Sequence, residues 1–74
     1  MMELIFSKKE IVVGIKKYTV IMDSREFTVL GDENEEIGYG SVSLRDEIEW
    51  MHSEGLNSES FNVVNKYLSG LVSK

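Results

Sequence analysis

The segment with the densest set of potentially reactive side chains is residues 31–40, which read GDENEEIGYG. Asp32, Asn34 and Glu36 have the spacing of the first three ligands of an EF-hand calcium loop. Such a loop also needs glycine at its sixth position and glutamate at its twelfth, where this chain has isoleucine and serine. We therefore expect no metal site here and predict an exposed connection between two strands.

Two glycines, Gly38 and Gly40, flank Tyr39 directly after this acidic segment. A phosphate-binding loop uses glycines so that several backbone N–H groups can surround the anion. Here the third glycine is missing and carboxylates precede the pair, so the pattern favours glycines that bend a strand.

The chain has a single histidine, His52, and no cysteine. No second ligand lies at a metal-binding spacing, and the neighbouring Ser53 cannot face His52 along a helix. Cysteine nucleophiles and cofactor motifs are absent from the sequence. We expect a protein that is not an enzyme and has no catalytic residue, cofactor or metal.

Size and charge narrow the classes of partner. The chain has 74 residues, a length that predicts one domain over 1–74. Its net charge is −5. Residues 1–30 have five bases and four acids (+1), whereas residues 31–74 have three bases and nine acids (−6). An acidic half repels phosphates, so nucleic acid is disfavoured as a partner. No apolar run suits a signal peptide or a membrane span, so we expect a cytoplasmic protein with no membrane partner and no small-molecule substrate.

Residues 1–42 have the composition of strands. Apolar, β-branched and aromatic residues recur in Met2–Phe6, 11–23, 26–30 and 37–42, with a turn predicted at 7–10. Gly14 indicates a bulge or bend within 11–23, which forms either one bent strand or two. Short turns favour antiparallel neighbours, so we predict a four-stranded, mostly antiparallel β-meander.

Residues 43–74 predict a pair of helices. Ser43 suits an N-cap, Leu44, Ile48 and Met51 form an apolar stripe, and Gly55 suits a helix end. A second helix is predicted from a Ser58 cap. The expected fold class is therefore α+β, with both C-terminal helices packed on one face of the sheet.

The predicted helix pair also suggests a candidate interaction surface. Trp50, Tyr67 and Val63 lie off the main apolar stripes, and tryptophan and tyrosine are frequent interface anchors. Glu47 and Glu54 would form an acidic rim around them. The structural alternative is that Trp50 and Tyr67 fill the seam between the helices.

Three functions follow from these features. The leading hypothesis is a small interaction module that forms a homodimer or binds a protein partner. The second is an inhibitor of the phage or mobile-element type, in which Asp32, Glu33, Glu35 and Glu36 imitate phosphates and bind a basic protein. The third, less favoured because the surface is acidic, is helix-turn-helix-like DNA binding by residues 48–68.

Overall fold

The computed structural model describes residues 6–72 as one antiparallel sheet followed by one helix. The elements are β1 (Phe6–Val13), β2 (Lys16–Asp23), β3 (Glu26–Leu30), β4 (Glu36–Val42), β5 (Ile48–His52) and α1 (Ser58–Val72). The strand order in the sheet is the chain order, so the predicted meander is correct. The α+β class is confirmed, whereas the predicted four strands and two helices were wrong.

The first hairpin decides how residues 11–23 fold. Gly14 has φ 64°, and Gly14 and Ile15 form a two-residue loop that joins β1 to β2. A positive φ at the first loop residue is the pattern of a type II′ turn, which suits the twist of paired strands. The segment is therefore two strands, and residues 7–10, predicted as a turn, belong to β1. Residues 2–5 of the first predicted strand lie outside the described residues.

The predicted first helix is replaced by a turn and by β5. The Ser43 hydroxyl accepts hydrogen bonds from the N–H groups of Arg45 and Glu47, and the Ser43 N–H donates to the Glu47 carbonyl (2.9 Å). Asp46 has φ 63°, which a right-handed helix does not allow. The hydroxyl that suits an N-cap thus closes a β4–β5 connection, and Ile48 and Trp50 point inward with a period of two.

This correction removes the structural basis of the predicted helix-turn-helix. Residues 48–68 contain β5, a turn and only the first part of α1, so no pair of helices forms there. Gly55, predicted to end a helix, lies in that turn. The N-cap of α1 is Asn57, whose side-chain oxygen accepts the Ser60 N–H (2.8 Å), not the predicted Ser58.

One face of the sheet forms the core with α1. The buried apolar residues are Tyr18, Val20, Met22, Phe27, Val29 and Val42 from the sheet and Val64 and Leu68 from the helix. Ser60 is also fully buried, and its hydroxyl hydrogen-bonds that of Tyr18 at 2.8 Å. This bond fixes α1 over β2 without leaving a buried hydroxyl unpaired. Among the described residues, no helix combines the length and apolar character needed to cross a bilayer.

Candidate interaction surface

Trp50 lies on β5 and packs between the sheet and α1. Its ring centroid is 4.8 Å from that of Phe27 and 4.8 Å from that of Phe61. The indole Nε1–H donates to the Asn65 side-chain oxygen at 2.9 Å. Trp50 is half-buried and packs in the core between the sheet and α1, whereas the predicted seam between two helices does not form among the described residues.

The glycines of β4 provide the space for this aromatic cluster. A Cβ on Gly40 would lie 2.2 Å from the Glu49 carbonyl oxygen and 2.7 Å from the Phe27 ring. A Cβ on Gly38 would lie 3.2 Å from the Trp50 ring. The Gly-Tyr-Gly motif is therefore a packing feature of the helix-covered face, while Tyr39 points to the opposite face.

Tyr67 and Val63 lie on the side of α1 nearest β1. The Tyr67 hydroxyl hydrogen-bonds the Ser7 hydroxyl at 2.6 Å, which ties the helix to the edge strand. Tyr67 is half-buried and Val63 is exposed. Trp50 contacts the opposite side of α1 through Phe61 and Asn65, so the three predicted anchors do not form one patch.

The predicted acidic rim is also divided. Glu47 and Glu54 are both exposed, but they lie before and after β5, respectively. The strand separates the two carboxylates by its whole length, so they do not surround a single surface.

The predicted acidic surface spans the well-defined β3–β4 loop and the first residue of β4, Glu36. Its four members, Asp32, Glu33, Glu35 and Glu36, are all exposed. Asp32 Oδ1 accepts the Lys17 N–H (3.2 Å), and Glu35 Oε1 accepts the Glu33 N–H (2.9 Å). Asn34 has φ 64°, a conformation that asparagine tolerates in turns. Two of the four carboxylates therefore hold the shape of the loop as well as contribute its charge.

The face of the sheet opposite α1 is uncovered within the described residues. Register pairs place Lys8, Ile21, Thr28, Tyr39 and His52 in one row across all five strands of that face. Tyr39 stacks on His52 with ring centroids 5.6 Å apart. A shallow depression on this face is lined in part by Thr28, Tyr39 and Met51. This face thus combines apolar and hydroxyl groups, although its concavity is slight.

The two edges of the sheet differ. At one edge, β1 has eight residues and pairs with β2 without a register shift. Its side chains Phe6 and Val12 are 71% and 66% exposed. At the other edge, β5 has five residues, and its pairing with β4 contains a register shift. Shortness and bulges discourage further pairing, so β1 is the more accessible edge.

Among residues 6–72, no three His, Asp or Glu side chains form a set that could hold a metal ion. Comparisons with protein-family models, with curated proteins and with solved structures gave no significant match.

Sequence reasoning overlooked β1 as a surface. Residues 7–10 are all polar, so this segment lacks the alternation of apolar and polar residues that signals a strand. Four consecutive polar residues before an apolar run are typical of a turn, which is why the sequence predicts one at 7–10. No local pattern identifies this edge strand; its pairing with β2 does.

Proposed function

We propose that this protein is a non-enzymatic interaction module that associates with a second copy or with another protein. The supporting observation is that the single helix covers one face of the sheet, while the other face carries large apolar side chains. Tyr39 is 40% exposed and Met51 is 73% exposed on that face, next to the half-buried Ile21. Exposed apolar groups that share a face are a common feature of protein interaction sites.

The chemistry of this face suits a protein partner. Threonine, tyrosine and methionine offer hydroxyl groups and adaptable apolar contacts, and Thr28 and Tyr39 are directly opposed across β3 and β4. The depression is open and shallow, whereas a small-molecule site encloses most of its ligand. These properties favour a broad contact over capture of a small ligand.

A concentration series by light scattering tests this function first. The wild-type mass would rise from 8.5 kDa towards twice that value if the module self-associates. If it stays monomeric, the tagged chain is used to capture proteins from its native host. Tyr39→Lys combined with Met51→Lys should then reduce capture.

Leu44→Lys is the matched control, because Leu44 is also exposed but lies in the β4–β5 turn away from this face. A monomer whose captured proteins are unchanged by the lysines at positions 39 and 51 would contradict the proposal.

A second candidate is an acidic module that imitates nucleic acid phosphates and binds a basic protein. The observation that favours it is the set of four exposed carboxylates in the ordered β3–β4 loop and at the start of β4. Changing these four residues to Asn or Gln keeps their hydrogen-bonding shape but removes their charge. Binding to a basic partner should then weaken, and wild-type binding should fall steeply with salt.

The control carries the same change of charge at Glu26, Glu47, Glu49 and Glu54, which lie outside the loop. Equal losses in the two variants would show that net charge alone, and not the loop, is recognised.

A further inference from the structure

Among the described residues no strand pairs with the outer edge of β1, which leaves a defined set of its backbone groups facing outward. Because Gly14 and Ile15 form a two-residue hairpin loop, Val13 and Lys16 form a hydrogen-bonded pair, and such pairs alternate along the ladder. Residues at odd positions of β1 therefore point their N–H and C=O groups towards β2. Phe6, Lys8, Glu10 and Val12 point theirs outward. Their side chains also all lie on the uncovered face, because Ile11 is paired with the inward-facing Tyr18.

These four residues form a self-complementary series. If a second β1 pairs antiparallel about a two-fold axis at Lys9, then Phe6 lies opposite Val12 of the second copy and Lys8 lies opposite Glu10 of the second copy. Each such pair would exchange two backbone hydrogen bonds. The ladder on the uncovered face then reads apolar, charged, charged, apolar, with opposite charges facing each other.

Neighbouring registers lack this complementarity. A shift by two residues in one direction places Lys8 opposite Lys8, and a shift in the other direction places Glu10 opposite Glu10. A shift by one residue pairs a residue whose backbone groups point outward with a residue whose backbone groups already bond to β2. It also places the side chains of each pair on opposite faces of the sheet. One register is thus selected by both charge and backbone geometry.

We infer that this protein forms a homodimer by antiparallel pairing of the two β1 edges, centred on Lys9, which joins two five-stranded sheets into one. This inference rests on the proposed function and identifies the partner as a second copy of the chain. The two-fold axis is perpendicular to the sheet, so both helices lie on the same face of the dimer. The exposed Phe6 and Val12 side chains, which β1 leaves uncovered in the monomer, cover one another.

The helix-covered face of the dimer has two symmetry-related Ser7–Ile11 pairs and one Lys9–Lys9 pair. Ser7, whose hydroxyl is bonded to Tyr67, faces Ile11 of the second copy. Lys9 faces Lys9 of the second copy at the axis, and like charges that are directly opposed destabilise a strand pair. An edge contact is smaller than a standard interface, so we expect a reversible dimer whose population depends on concentration.

A cysteine placed on the axis tests the register directly. In a non-hydrogen-bonded antiparallel pair the Cα atoms are about 4.5 Å apart, which is compatible with a disulfide. Lys9→Cys should therefore give a covalent dimer under mild oxidation, in a chain that has no other cysteine. Lys8→Cys is the control, because the two copies of position 8 lie on opposite sides of the axis. Cross-linking at position 8 that equals that at position 9 would overturn the register.

Charge reversal tests the pairing without cysteine. Lys8→Glu alone, or Glu10→Lys alone, places like charges in both symmetry-related pairs, so each should weaken the dimer about tenfold. The combined Lys8→Glu, Glu10→Lys variant restores opposite charges and should return the dissociation constant to within about threefold of wild type. The controls Lys16→Glu and Glu26→Lys make the same two changes of charge at exposed residues outside β1.

The outcomes separate this inference from the function on which it rests. A wild-type chain that stays monomeric, or a dimer that ignores the reversals at positions 8 and 10, overturns the β1 pairing. Binding of another protein through the uncovered face would still support the interaction module in either case. Rescue by the double variant together with cross-linking at position 9 supports the β1 dimer.

Discussion

The two faces of the sheet carry the same kinds of residue in different roles. On the covered face, Phe27 and Trp50 are fixed by α1 and by glycines that leave room for the rings. On the uncovered face, Tyr39 and Met51 remain exposed. The difference shows that the face of the sheet on which an aromatic residue lies decides whether α1 covers it. Stability should therefore depend on the covered face and association on the uncovered face and its β1 edge.

The largest loss of stability should follow from a side chain at Gly40. The added Cβ of Gly40→Ala would overlap the backbone of β5 and the Phe27 ring, so we expect the free energy of unfolding to fall by about 3 kcal/mol. Urea denaturation followed by circular dichroism measures it. Gly70→Ala in α1 is the control, because its Cβ has no neighbour within 4 Å. If both variants are equally stable, Gly40 is not needed as a spacer.

A smaller loss should follow from Ser60→Ala. This change leaves the hydroxyl of the buried Tyr18 without its partner, which costs about 1–2 kcal/mol. Tyr18→Phe combined with Ser60→Ala removes both hydroxyls and should recover part of that loss in the same denaturation experiment. If the double variant loses as much free energy of unfolding as the two single variants together, the hydroxyls do not act as a pair.

The edge of β1 should show the opposite behaviour, with a small effect on stability and a large one on association. Glu10→Pro removes an outward N–H, so the free energy of unfolding should change by about 1 kcal/mol or less while the dimer is lost. Lys9→Pro is the control, because its N–H points to β2 and the loss of that ladder hydrogen bond should cost about 1–3 kcal/mol. Denaturation and light scattering on both variants separate the two effects. A dimer that persists in Glu10→Pro would exclude the β1 edge.

The smallest effect expected is a gain. Lys9→Thr removes the pair of like charges at the axis and adds a β-branched residue that favours strands, so the dimer should tighten about threefold. Sedimentation equilibrium of the variant and of Lys16→Thr, which removes the same charge outside β1, measures the difference. Equal tightening in both variants would assign the gain to net charge.

Prediction from sequence succeeded where the pattern was local and failed where two structures suited the same residues. Residues 26–30 alternate over their whole length and form β3 at the expected bounds. The acidic segment was correctly assigned to a connection between strands. Residues 43–54 were wrong because Ser43 caps a turn as well as a helix, and Leu44, Ile48 and Met51 mimic a helical stripe. Phe27 and Phe61, which are distant in sequence, hold Trp50 in β5.

The sequence by itself determined the α+β class, the antiparallel meander and the acidic loop, since hydrophobic period and turn residues act over a few neighbours. Only the tertiary structure decided which face α1 covers, that Gly38 and Gly40 make room for Trp50, and that Tyr67 reaches Ser7. Among the described residues, it also decided that β1 lies at the edge of the sheet with no strand beyond it. These features depend on contacts between residues far apart in the chain, and no local pattern specifies such contacts.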